Sequence, residues 1–190
     1  MRALAAVALA CLLGLAQAAE VAGVTFVETI EGPGDAKLVL NGAGLRERGF
    51  VDVYAMGLYL PERKYRAEEI LLHPGPKRVA LRMLRDVGAA AFIEALIDGL
   101  RKNHSDAEMV RFGPRIAQFT AIMAEIKEAK AGMAIDLDWA HGEGTRLRID
   151  GRPSGQPIVG EDFYRALLRI WLGLSPVQND LKAALLGATS

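Results

Sequence analysis

Apolar and polar positions along this chain alternate, change period for a stretch, then alternate again. Val24 to Ile30 alternates loosely in β-forming residues, and Lys37 to Leu40 is the next candidate strand. Between them lies a dense turn signal, Glu31-Gly32-Pro33-Gly34-Asp35. Val51 to Leu60 is apolar on both faces apart from Asp52, which predicts a central strand covered on both sides and ended by Pro61. Arg78 to Leu84 alternates cleanly, with Val79, Leu81 and Met83 inward and Arg78 and Arg82 outward.

The period then becomes helical. Phe92, Ile93, Leu96, Ile97 and Leu100 form one stripe over Ala89–Lys102, opposite Glu94, Asp98 and Arg101. Ile116, Phe119, Met123 and Ile126 predict a second helix starting beside Pro114, and Gly132 a break after it. Glu161-Asp162 opens a helix lined by Phe163, Leu167, Ile170, Trp171 and Leu174, with Arg165 and Arg169 on its other side. Ser175-Pro176 reads as an N-cap and first helical residue of a last helix running through Leu186 and closed by Gly187.

Between these helices, alternation returns. Ile135, Leu137 and Trp139 face Leu147 and Ile149 across a hairpin, and residues opposite each other must share a face. A three-residue loop Gly142-Glu143-Gly144 meets that demand, setting Trp139 against Leu147 and Asp138 against Arg148. Gly151 to Gly160, with Pro153 and Pro157, reads as loop.

The start of the chain follows another logic. Met1-Arg2, an apolar run from Ala3 to Leu15, and Ala16-Gln17-Ala18 make a signal-peptide pattern over residues 1–18, too short to cross a bilayer as a permanent helix. A rival reading makes Cys11 a lipid-attachment site. Export predicts a periplasmic or secreted mature chain, residues 19–190, forming one compact α+β domain. Without Arg2 it holds 22 basic and 23 acidic residues, a balance with no electrostatic case for nucleic acid. Cys11 is the only cysteine, so the mature domain stands on packing without disulfides. No second long apolar run is present, so no membrane-spanning segment is expected.

Candidate chemistry is sparse. His73, His104 and His141 fall in predicted loops without metal-site spacing, and they read as solvated surface residues. No metal or cofactor is expected. Asp136 and Asp138 read as charge partners of Arg146 and Arg148 across the hairpin. Gly42-Ala43-Gly44 implies a tight turn or bulge. Arg46, beside that kink and before the most apolar strand, admits two readings. Turned inward it needs a partner, which a bound carboxylate or phenolate supplies; on the surface it pairs with Glu47 or Asp52. Tyr54 is either a core aromatic or a second polar group of the same site. Trp139 and Trp171 read as core.

The motifs VAGVTF (21–26), LNGAGLR (40–46), VYAMGLYLP (53–61), PGPKR (74–78), MLRDV (83–87), FYRALLRIWLG (163–173) and SPVQNDLK (175–182) together resemble the chalcone-isomerase-like superfamily, in its exported bacterial branch. The resemblance covers the whole mature chain. It implies an open-faced β-sandwich, a large antiparallel sheet with a layer of helices over one face and a ligand cleft between. In the catalytic relatives an arginine positions an anionic nucleophile while tyrosine and threonine polarise a carbonyl. Here Arg46 matches the arginine, Tyr54 stands at the threonine position, and Phe92 at the tyrosine position lacks a hydroxyl. The family asparagine falls near Gly99, and a C-terminal threonine is replaced by Pro153 or Ser154.

The resemblance therefore implies loss of chalcone cyclisation. Its non-catalytic members that bind fatty acids keep the arginine and pair it with a tyrosine. The leading expectation is a binder of a fatty acid or similar small apolar anion. Arg46 and Tyr54 would hold the head, and Val53, Ala55, Met56, Phe92 and Leu96 the tail. The alternatives are an isomerase of the intramolecular lyase type using Arg46 and Tyr54, and an envelope interaction module with a vestigial cleft.

Overall fold

The computed structural model describes residues 18–188. Apart from Ala18, the predicted signal peptide, Cys11 included, lies outside the described residues. Strands β1 (Ala19–Val21) and β2 (Val24–Phe26) form a small hairpin. Next come β3 (Thr29–Glu31), β4 (Lys37–Arg48), β5 (Val51–Leu60), helix α1 (Ala67–Leu72) and β6 (Lys77–Met83). A short pair, β7 (Val87–Gly88) and β8 (Glu128–Ala129), brackets α2 (Ala89–Arg101) and α3 (Asp106–Glu125). Strands β9 (Ala134–Ala140), β10 (Gly144–Ile149) and β11 (Arg152–Ile158) follow, then α4 (Glu161–Leu172) and α5 (Asn179–Leu185). Seven strands pair antiparallel in the order β11-β10-β9-β6-β5-β4-β3. The result is a mixed α+β fold, a large antiparallel sheet with helices.

Strand alternation gives that sheet two different faces. Met56 and Leu58 of β5, Val79 and Leu81 of β6, Ile135 and Leu137 of β9, and Leu147 of β10 meet Phe163, Leu167 and Ile170 of α4 in the main core. On the reverse face Ala55, Tyr59 and Ala80 pack with Leu38, Leu40 and Phe26. A Cβ on Gly57 would come within 2.7 Å of the Phe26 ring, so β2 crosses where β5 has no side chain. Further along, the reverse face is polar: Arg78 grips Asp138 with two bonds of 2.6 and 2.7 Å, and Arg82 holds Asp136 at 2.7 Å. The aspartates stand opposite Arg146 and Arg148 as expected, but their charge partners come from β6 on the other side.

Several boundaries differ from the sequence pattern for identifiable reasons. Val24–Ile30 is two short strands, and Asn41–Gly44 is a bulged interior of β4. Helix α3 starts at Asp106, because Ser105 and Glu108 form a reciprocal capping box, and Pro114 lies inside it. Burial of Phe112, Phe119, Ile122 and Met123 carries the helix through the lost hydrogen bond. The stretch Gly151–Gly160 holds an edge strand, β11, the one sheet position that tolerates Pro153 and Pro157. The hairpin loop is His141-Gly142-Glu143, which sets Trp139 against Thr145 and Asp138 against Arg146. This two-residue offset preserves both faces. Gly144 is already in the strand, paired with Ala140, at a position only glycine fits: a Cβ there would lie 2.6 Å from the Ile158 carbonyl oxygen. Leu174 falls beyond α4 in solvent, and α5 starts at Asn179, not at Ser175-Pro176.

Candidate functional site

Gly42, Gly44 and Arg46 occupy alternate positions of β4 and share its helix-facing side. A Cβ on Gly42 would lie 2.1 Å from the Ala184 carbonyl oxygen, and one on Gly44 would lie 2.8 Å from the Ala184 Cβ. Helix α5 therefore rests directly on the bare backbone of β4. Asn41, the extra residue of the bulge, fastens it: Nδ2 donates to the carbonyls of Leu185 at 2.7 Å and Lys64 at 2.9 Å, while Oδ1 accepts from the Lys64 amide at 2.7 Å. That seat brings Gln178, just before α5, to the end of β4. Its Oε1 accepts from the Arg46 guanidinium at 3.3 Å and from the Glu47 amide at 2.9 Å.

A second irregularity completes the arrangement. Arg46 pairs with Tyr54 and Glu47 with Asp52, leaving Val53 as an extra residue on β5. Such a bulge re-aims side chains, and both Val53 and Tyr54 line the same cleft. Tyr54 is 9% exposed, and its hydroxyl oxygen accepts from Trp171 Nε1 at 2.9 Å. Burial pushes the phenol pKa up, opposed by the Trp171 bond and the nearby Arg46 charge. A phenol that accepts in this way still has its own proton to donate. Among the described residues no protein group takes it.

The cleft holds about 580 Å³ between the sheet and helices α2, α3 and α4, within the range of roughly 300–1,000 Å³ typical of small-molecule sites. Leu81, Ile135 and Leu137 floor it, and Phe92, Leu96, Phe119, Met123 and Ile170 wall it. Charged side chains gather toward solvent: Arg46, Arg48, Arg85 and Lys102, with Asp86, Glu94 and Asp98. Arg46 donates to the Glu47 backbone carbonyl, and among the described residues it joins no ion pair. The expected alternative pairing with the Glu47 or Asp52 carboxylate is not formed. The described residues contain no cluster of three or more His, Cys, Asp or Glu suited to a metal ion.

The profile of the chalcone isomerase-like family matches residues 18–187, nearly all of the chain. The chain belongs to the chalcone isomerase-like family. A solved structure of a fatty-acid binding protein of Arabidopsis thaliana superposes with a TM-score of 0.66 at 19% identity, covering 86% of this chain and 92% of that one. At that identity the likeness shows a common fold. No curated protein matches the chain by sequence.

Within this chalcone isomerase-like fold, Arg46, Tyr54, Val53, Phe92 and Leu96 all line the cleft. Two of the anticipated lining residues do not. Ala55 follows Tyr54 by one position and so points to the reverse face, against the Phe26 cluster. Met56 shares Tyr54's face but is sealed in the main core. Gly99 lines the cleft with the Ile170 side chain 2.9 Å from where a Cβ of its own would stand, whereas Pro153 and Ser154 lie on edge strand β11. Two residues escaped the sequence reading. Trp171, assigned to core alone, is the partner that fixes Tyr54; a buried indole N–H needing an acceptor was the available hint. Gln178 gave no local signal. His104 is half-buried, with Nδ1 2.9 Å from the Leu100 carbonyl and its ring edge-on to Phe112.

Proposed function

We propose that this protein is an exported, non-catalytic binder of a fatty acid or a similar apolar carboxylate. Its carboxylate sits between Arg46 and Tyr54, and its tail runs over Leu81 toward Phe119 and Met123. The observation that carries this reading is a guanidinium that has no acidic partner among the described residues and a phenol with a spare proton, side by side on an apolar cleft. An anion there receives charge-assisted bonds from Arg46 and a hydrogen bond from Tyr54. The Arabidopsis thaliana fatty-acid binding protein lends support through the shared fold. Export to the periplasm or beyond rests on the pattern of residues 1–18.

Native mass spectrometry of the purified protein is expected to show a co-purifying long-chain acid. In titration with a fluorescent fatty acid, Arg46→Ala is expected to lower affinity by roughly 10- to 100-fold, since hydrogen bonds to charged groups contribute about 1.5–3 kcal/mol. Unchanged affinity in that variant overturns the reading.

A further inference from the structure

Two of the largest exposures among apolar side chains of the described residues occur beside the cleft mouth. Phe50 is 105% exposed at the tip of the β4–β5 hairpin, two residues from Arg48 and three from Val53, both of which line the cleft. Leu174 is 98% exposed on the segment between α4 and α5, three residues from cleft-lining Val177. Gln178 joins the two segments, accepting from the Glu47 amide at 2.9 Å and donating to the Glu47 carboxylate at 3.3 Å.

Neither residue is exposed through looseness of its backbone. The Gly173 carbonyl accepts from Lys182 Nζ at 2.7 Å, while the Ser175 amide and carbonyl are both bonded by the Asn103 side chain, at 3.0 and 2.9 Å. Leu174 is thus pinned on both sides with its side chain left in water. Arg48 and Val51 close the hairpin as a register pair, with Gly49 at φ +66°, and hold Phe50 at the turn. Fixed backbone on both sides keeps these side chains from folding back onto the core.

We propose that this rim docks on a phospholipid bilayer whose headgroups are zwitterionic, with Phe50 and Leu174 entering the acyl boundary so that ligand passes between leaflet and cleft. The transfer step rests on the binder reading above; the docking does not. Two separate apolar points suit a soft medium, whereas a protein partner requires a continuous complementary patch of roughly 800 Å². The charges around the mouth have both signs. Arg48, Arg85 and Lys102 line the mouth together with Glu94 and Asp98, with Glu47 and Asp52 at the hairpin base and Asp86 occupied by Lys130 at 3.0 Å. A phosphate and an ammonium on one headgroup both find partners in such a set, whereas the gain of a purely anionic surface at the cations is offset by repulsion from the carboxylates.

The test is flotation of ligand-free protein with vesicles of phosphatidylcholine and phosphatidylethanolamine, beside the rate at which a fluorescent fatty acid leaves those vesicles for the protein. Phe50→Ser/Leu174→Ser is expected to weaken vesicle binding at least about tenfold, because burying each side chain is worth about that factor or more. Its affinity for the free fluorescent acid without vesicles should stay unchanged. Transfer to the wild type should speed up with vesicle concentration, with little salt dependence. Arg46→Ala should float like wild type, so loss of ligand binding and loss of docking are read separately. Fatty-acid binding with no flotation overturns this proposal and spares the binder reading; flotation without fatty-acid binding does the reverse. Binding confined to anionic vesicles and abolished by salt overturns it. So does a concentration-dependent dimer that Phe50→Ser dissolves while vesicles are ignored.

Discussion

Tyr54 and Tyr164 are both buried on the helix-covered side of the sheet, and burial raises the pKa of both phenols. Their hydroxyls are used in opposite ways. Tyr164 donates to the Leu137 carbonyl at 3.1 Å, in a region filled by Trp139 and Phe163. Tyr54 accepts from Trp171, and among the described residues nothing takes its proton, beside about 580 Å³ of open cleft. The packed end also contains buried polar atoms without partners among the described residues, Trp139 Nε1 and Thr145 Oγ1. An unpartnered polar atom alone therefore marks nothing. What distinguishes Tyr54 is an unpartnered proton together with room for something to receive it.

The most forceful way to break the packed end is Phe163→Ala. Phe163 is fully buried, with its ring 6.3 Å from those of both Phe112 and Phe119, where truncation costs about 3–5 kcal/mol. Urea unfolding should show that loss. Affinity for a fluorescent fatty acid, measured well below the unfolding midpoint, should change less than twofold, because Phe163 does not line the cleft.

Gly42→Val attacks the other end through its scaffold. The added side chain collides with the backbone of α5 and must lift that helix, at about 1–3 kcal/mol. Gln178 then leaves Arg46, so here stability and ligand affinity should fall together. Affinity that survives intact would show that the seat of α5 does not position Arg46.

These two variants also mark what the sequence could reveal. Phe163, like the stripe on α2 and the apolar run of β5, announces itself through neighbours within two turns or one strand. Arg46 was legible because its motif stayed intact. The function of Gly42 and Gly44 is visible only when α5, about 140 residues later, lies on them; by themselves the two glycines implied a tight turn or bulge. Trp171 and Gln178 act on Tyr54 and Arg46 across 117 and 132 residues, beyond any local period. Strand β11 was hidden by its prolines, and the hairpin register by a backbone contact at Gly144 that apolar matching does not register.

A third variant tests the cation of the packed end. Lys77 is 1% exposed, donates to the His73 and Gly75 carbonyls, and has its pKa pushed down to about 8 by desolvation. His73, Arg165 and Glu161 are the charged or titratable groups around it. The unfolded chain holds this proton up to about pH 10.4. Between pH 8 and 10 it thus binds more protons than the folded one, and stability should rise with pH by about 1–2 kcal/mol. Above pH 10 the raised phenols work in the opposite sense and end the window. Lys77→Met should flatten the rise in urea unfolding at stepped pH; an unaltered slope would assign it to other groups.

The smallest effects are the most diagnostic, and they belong to the two phenols. Tyr164→Phe removes one donor from the Leu137 carbonyl, and Tyr54→Phe removes one acceptor from Trp171. Each should cost about 1 kcal/mol in unfolding free energy, the net worth of one hydrogen bond. Stability therefore does not separate them; ligand affinity does. Tyr54→Phe is expected to weaken fatty-acid binding about fivefold, because the spare proton is the one that reaches the carboxylate, while Tyr164→Phe leaves it unchanged. Equal affinities in the two variants would mean that the Tyr54 proton meets no ligand, leaving Arg46 alone to recognise the anion.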